Sequence, residues 1–218
     1  MPSAPPRPLS SLYLITPPLT LADAPAFARS FAAVLAAVEV ASLLVKLAQA
    51  SNGDAKAIVG PLLEVVAKSD CALVLDHDPQ LAARLGVDGV HVMGAGEALE
   101  EALASLKPER IVGAGGLLLR DDAMRAAEKG ADYVMFGEPL GAAPPTPLSA
   151  LFERVSWWAE IFETPCVGYA QSIEAAEDLK RAGADFVALD SAVWDAPAPA
   201  EAALQLHACL LGLGAEAP

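Results

Sequence analysis

Short apolar runs recur eight times along the chain, and longer alanine- and leucine-rich segments that carry charges lie between them. No other feature restricts the fold as strongly, because strands alternating with helical segments mark parallel βα units. The runs are LYLI at 12–15, SLLVKL at 42–47, CALVL at 71–75, GVHV at 89–92, RIVGA at 110–114, YVMFG at 133–137, CVGYA at 166–170 and FVALD at 186–190. Between them stand helical patterns such as AKAIVGPLLEVVAKSD, DDAMRAAEKGAD and SIEAAEDLKRAGAD. The last two close on Gly-Ala-Asp just before a strand, placing Gly130 and Gly183 where a helix C-cap needs a left-handed residue. Eight strands, seven intervening helices and a final helix near 199–212 are the count of a single (β/α)8 TIM barrel, of class α/β, with residues 1–218 as one domain. A doubly wound open sheet is the alternative. Short strands without long insertions favour closure.

A 218-residue chain that is 54% hydrophobic can fill one sizeable core. Its eighteen prolines gather at the amino terminus, at Pro17-Pro18, at Pro144-Pro145 and in DAPAPA, so they punctuate elements and do not mark a linker. The net charge of -14, with no lysine or arginine run, argues against nucleic acid as a partner. An anionic ligand would need backbone N–H groups, a few placed cations or a divalent metal. Cys71, Cys166 and Cys209 are odd in number and lack metal-type spacing, which reads as reduced thiols. No signal-peptide pattern or membrane-length apolar run is present, so the expectation is a cytoplasmic protein that does not enter a membrane.

In a barrel, Asp76, Gly115, Glu138, Tyr169 and Asp190 lie at or just beyond the carboxyl ends of strands, where barrel chemistry takes place. Gly113 and Gly115 begin a dinucleotide-type GxGxxG, but position 118 is Leu and no acidic strand end follows at the required distance. Gly115-Gly116 therefore reads as a tight turn leaving a strand.

Five segments, in order and with their spacing kept, carry a resemblance to thiamine phosphate synthases and their thiazole tautomerase relatives of the TenI type. They are LYLITP, LAARLGVDGVHV, IVGAGG, EKGADYVMFGEPL and KRAGADFVALDSAVWDAP. The resemblance spans nearly the whole chain and implies the barrel fold. It also implies a thiamine-biosynthetic transferase that joins a pyrimidine pyrophosphate to a thiazole phosphate with Mg2+, and pairing as a homodimer. Matched to the family's motifs, Lys46 stands where an arginine falls on the second strand, and Ala48 replaces the next cation. Asp76, His77 and Asp78 stand where the family has Asn-Asp-Arg, and Glu97 neighbours the position of a second metal aspartate. Gly115 replaces a serine and Leu117 a histidine, which removes the tautomerase's acid/base. GEPLGAAPPTPLS contains no lysine, and Ala170-Gln171 replaces a Gly-Gly phosphate nest. The departures fall on the charged, phosphate-binding set while the apolar pattern is kept. They imply weak pyrophosphate binding and an active site diverged from the family's.

The candidates that result are Lys46, Asp76 and His77 as catalytic groups, Gly115, Glu138, Tyr169, Asp190 and Ser191 as substrate contacts, and Asp76 with Glu97 as Mg2+ ligands. Asp78 before Pro79 reads as a helix cap. Lys46, in an apolar strand, needs an acid or an anionic ligand, and an ion pair with Asp76 or Asp190 is the leading expectation. His91 reads as a hydrogen-bonded core residue. At least one of Trp157 and Trp158 reads as core, while an outward-facing one would mark a partner surface. Two other functions stay open. One is a catalytically silent or repurposed barrel that binds a small phosphorylated or aromatic ligand, or a partner protein, at a mouth lined by Leu117, Leu140 and Tyr169. The other is an unrelated isomerase using Asp76, His77, Glu138 and Asp190.

Overall fold

The computed structural model describes residues 9–48, 51–139 and 145–212. Leu140 and the last six residues of the acidic tail lie outside the described residues. Eight parallel strands close into a barrel in sequence order: β1 (Ser11–Ile15), β2 (Ser42–Val45), β3 (Ala72–Asp76), β4 (Gly89–Met93), β5 (Ile111–Gly115), β6 (Tyr133–Phe136), β7 (Cys166–Tyr169) and β8 (Phe186–Leu189). The closing ladder pairs Leu12 with Val187, Tyr13 with Ala188 and Leu14 with Leu189, so the sheet has no free edge and the open-sheet alternative is excluded.

The helices α1 (Ala24–Ala37), α2 (Asn52–Val66), α3 (Pro79–Leu85), α4 (Glu97–Leu106), α5 (Arg120–Glu128), α6 (Leu148–Ile161) and α7 (Ile173–Ala182) follow the first seven strands. The short α8 (Ser191–Trp194) and the longer α9 (Pro199–Leu211) follow β8, and the apolar periodicity revealed α9 but not the single turn of α8. Because strand side chains alternate, each strand feeds two cores. One face joins the helices in a continuous shell that includes Leu14, Leu43, Leu73, Val112 and Val134. The other fills the barrel interior with Tyr13, Ile15, Leu44, Val74, Tyr133, Met135, Val167, Tyr169 and Ala188.

The recurring aspartate just before a strand has a structural duty. Asp132 donates its N–H to Val112 O at 2.8 Å and accepts the Val112 N–H on Oδ2 at 2.7 Å, so it clamps the start of the preceding strand. Asp88 does the same to Leu73, at 2.9 and 2.7 Å, and Asp185 to Cys166, at 3.1 and 2.8 Å. These carboxylates occupy the amino-terminal end of the barrel, where a conformational role is expected and chemistry is not. The Asp132 carboxylate also pairs with Lys107.

Asp78 caps α3, its Oδ1 accepting from Leu81 N at 2.8 Å ahead of Pro79, as its sequence implies. Gly183 ends α7 in the left-handed region at φ 94°, and Gly130 adopts φ 100° just past α5. Trp158 is wholly buried, donates to Thr164 O at 2.8 Å and stacks on Phe162, so it is core. Trp157 packs partly buried against that core beneath the Arg120 guanidinium, 4.5 Å from its ring centroid. Cys71, Cys166 and Cys209 are joined by no disulfide among the described residues. Among the described residues no helix is long and apolar enough to cross a membrane.

Replacing Asp132 by Ala leaves the buried Val112 N–H without its carboxylate acceptor, so urea unfolding should show a loss of about 1–3 kcal/mol. Asp132→Asn, which keeps an acceptor oxygen, should lose less than half of that. Equal losses would contradict the clamp.

Candidate active site at the barrel mouth

Continuing the inward alternation past Leu44 and Val74 places Lys46 and Asp76 at the carboxyl end of the barrel. There they line a cavity of about 360 Å3 with His77, His91, Glu138, Ile15, Leu44, Met93, Met135 and Pro139. A larger groove of about 850 Å3 opens at the opposite end, among β1, the end of α1 and α9. Among the described residues its ionisable groups are Glu39, Asp70, Cys71 and His207, and barrels of this kind do their chemistry at the carboxyl end, so the mouth is the candidate site.

Beneath the cavity runs a buried polar chain. The Tyr13 and Tyr133 hydroxyls share a hydrogen bond of 2.9 Å, and Tyr133 Oη lies 3.0 Å from His91 Nδ1, with the His91 and Tyr133 rings stacked. His91 is thus the hydrogen-bonded core residue its sequence context implies. The two tyrosines were not recognisable as its partners, because the pairing crosses the barrel from β4 to β6 to β1. Burial, reinforced by His77 and Lys46, drives the His91 imidazole down to about 3, so it is neutral at physiological pH.

At the rim, His77 adopts φ 71°, a left-handed backbone that few non-glycine residues hold. Two contacts fix it there: its N–H donates to His91 O at 2.8 Å, and its Nδ1 lies 2.6 Å from Asp76 Oδ1. The imidazole is largely exposed while the Asp76 carboxyl is mostly buried. Burial raises the Asp76 carboxyl above its usual range, against the opposing pull of His77 and Lys46. No sequence signal announced the strained backbone at His77.

The Lys46 ion pair expected from sequence does not form. Among the described residues its ammonium makes no hydrogen bond and no ion pair within 4.0 Å, while Asp76 Oδ1 is engaged by His77 and Asp190 Oδ1 by Tyr169. Lys46 nevertheless acts through space on Asp76, His91 and Glu138. It is a cation inside the mouth with its hydrogen-bonding capacity unspent.

Glu138 follows β6 and turns back over β5, accepting the Gly116 N–H on Oε1. Burial pushes its carboxyl up to about 7, opposed by that N–H and by the charges of Lys46 and Arg154. Gly115 makes this placement possible. A Cβ built on Gly115 would collide with both Glu138 Oε1 and His91 Nε2, so the two groups fill the room a side chain at 115 would need. Gly116 follows at φ 65°, the tight turn expected on leaving a strand.

The remaining candidates lie apart from the cavity lining. Tyr169 donates to Asp190 Oδ1 at 2.8 Å, and that same oxygen accepts the Ser191 N–H at 2.5 Å, closing α8 onto β7. Glu97 is exposed in the first turn of α4, away from Asp76, and Leu117 is buried in the outer shell. Magnesium is held by oxygen ligands, commonly one or two carboxylates with substrate phosphates. The described residues contain no cluster of three or more His, Cys, Asp or Glu side chains suited to a metal. With Asp76 engaged by His77, Glu138 by Gly116 and Glu97 outside, this donor set fits a pre-built magnesium site poorly.

A family model described as thiamine monophosphate synthase matches residues 12–193. The chain belongs to the thiamine monophosphate synthase family. It is 40% identical over 205 residues to a thiamine-phosphate synthase of Rhodospirillum centenum, covering 92% of this chain and 98% of that one. It is 38% identical over 208 residues to a thiamine-phosphate synthase of Hyphomonas neptunium, covering 91% and 93%. Among solved structures, a thiamine phosphate pyrophosphorylase from Pyrococcus furiosus superposes with a TM-score of 0.78 at 22% identity, over 93% of this chain and 96% of that one. A 3-hexulose-6-phosphate synthase superposes at 0.69 and 19% identity, over 91% and 99%, a likeness of fold alone. The family-like barrel expected from sequence is thus the observed one.

The neutral His91 carries a pH signature. Unfolded, the imidazole binds a proton below about 6.5; folded, it stays neutral down to about 3, so stability is lost as pH falls through that window. His91→Asn, which retains a polar atom near Nδ1, should flatten the dependence between pH 6 and 4 by up to about 1.4 kcal/mol per pH unit. Chemical denaturation at stepped pH would measure it, and parallel curves would contradict the assignment.

Proposed function

We propose that this barrel is a single-domain, cytoplasmic thiamine-phosphate-synthase-like transferase of thiamine biosynthesis, joining a pyrimidine pyrophosphate to a thiazole phosphate in the mouth cavity. The observation that carries the reading is the Lys46 ammonium, without an ion pair among the described residues, in a cavity otherwise lined by two acids, two histidines and apolar groups, in a chain whose curated relatives are thiamine-phosphate synthases. In the role proposed, Lys46 holds the phosphate of the thiazole substrate, an anion that a cation set inside a cavity attracts better than one in bulk water. The carboxyl of Asp76, oriented by His77, then faces the reacting ring, and apolar Ile15, Leu44, Met93 and Met135 supply the walls against which a flat heterocycle packs. Magnesium is assigned to the pyrophosphate of the substrate and not to a site built by the protein.

The charge balance favours a second reading. Asp76 and Glu138 outnumber Lys46, as a barrel repurposed for binding a less highly charged ligand without turnover would require.

Turnover decides between them. Purified protein given both substrates and magnesium should form thiamine phosphate, and Lys46→Ala should lower kcat/KM about 100-fold or more. Absence of product at high enzyme concentration would sink the transferase reading and leave the binding barrel.

A further inference from the structure

Glu138 is the one acid of the cavity whose placement depends on a missing side chain. The loop after β6 carries it back across the carboxyl end of β5, where the Gly116 N–H holds Oε1 and the bare Gly115 leaves room for the carboxyl beside His91. The residue's own N–H also acts on the carboxylate, and the group borders the open cavity. The groups that face it are Lys46 just past β2, Asp76 at the end of β3 and His77 just past it, His91 from β4, Tyr133 from β6 and Arg154 from α6. His91 is neutral, Asp76 is coupled to His77, and Lys46 is unpaired, so the net charge seen by a ligand turns on whether Glu138 carries a proton.

We propose that Glu138 is the specificity-determining residue of this cavity: protonated, it donates a hydrogen bond to a small anion held by Lys46, and ionised, it repels that anion. The ligand class that follows carries one phosphate or sulfate group on a compact, otherwise uncharged body. Pyrophosphate without metal, more highly charged and faced by a single ammonium, is disfavoured. The identification of the body as a thiazole rests on the function proposed above. The role of Glu138 does not. Protonation of the carboxyl is a simple acid–base equilibrium with solvent, so no bond other than O–H forms or breaks. With the carboxyl lifted to about 7, the protonated form is present below that pH and is lost as pH rises through it.

Calorimetric titration of the full-length protein tests this with three probes, sulfate, thiazole phosphate and metal-free pyrophosphate, at pH 6 and pH 8. Sulfate keeps its charge across this range, so any change in its affinity reports the protein. Wild-type affinity for sulfate should fall about tenfold between the two pH values, the effect of one added negative charge near the site. Glu138→Gln, a permanent neutral donor, should hold the pH 6 affinity at both values, while His77→Gln should keep the wild-type fall. If Glu138→Gln titrates like wild type, or if His77→Gln abolishes the fall, the assignment is wrong. Should the Gln variant not fold, wild type alone still decides: binding sulfate at pH 8 should take up protons, measured from heats in buffers of differing ionisation enthalpy, and no uptake overturns the proposal. Pyrophosphate binding tighter than sulfate would also overturn it. Sulfate behaving as expected while thiazole phosphate fails to bind would leave Glu138 in place and remove the thiamine reading.

Discussion

The mouth of this protein depends on the ladder between β8 and β1. Once Leu12, Tyr13 and Leu14 pair with Val187, Ala188 and Leu189, the sheet is closed and every strand must point alternate side chains inward. Tyr13, Tyr133 and His91, far apart in sequence, then meet in a buried chain of two hydrogen bonds. Two residues beyond the last inward apolar positions of β2 and β3, the same alternation delivers Lys46 and Asp76 to the rim. The chemistry of the site is a consequence of closure.

Electrostatics then decides what the rim can do. His91 is kept neutral by burial, His77 is bound to Asp76, and Glu138 shares the space over Gly115, and among the described residues Lys46 has no counter-ion within 4.0 Å. The half-buried Lys46 ammonium stands in the cavity where an anion can complete it. The surface as a whole carries a net charge of -14, so selective attraction of an anion has to arise inside the cavity.

Much of the fold was legible because its determinants are local. Apolar runs with βα rhythm, Asp78 before Pro79, and glycine at the ends of helices each specify geometry over a few residues, and all appear in the structure where their chemistry requires. The site was legible only where one strand carried it. Lys46, Asp76 and His77 were readable from strand ends, and His91 from its apolar setting. The absence of an ion pair at Lys46 among the described residues was not, nor was the contact that His77, in a strained backbone, makes with Asp76. Nor was the link between Gly115 and Glu138, which lie 23 positions apart in sequence and meet only through the β5 and β6 pairing. Gly115, read from sequence as the loss of a family serine, is in three dimensions the space that Glu138 and His91 fill.

The central claim is that Lys46 is the anion contact of the barrel mouth. A crystal structure of the protein soaked with thiazole phosphate tests it most directly. The account predicts phosphate oxygens within hydrogen-bonding distance of Lys46 Nζ, with the ring between Ile15 and Met135 and its edge toward Glu138. A phosphate bound away from Lys46, or a Lys46 ammonium paired with Asp76 while the ligand sits elsewhere, would contradict it.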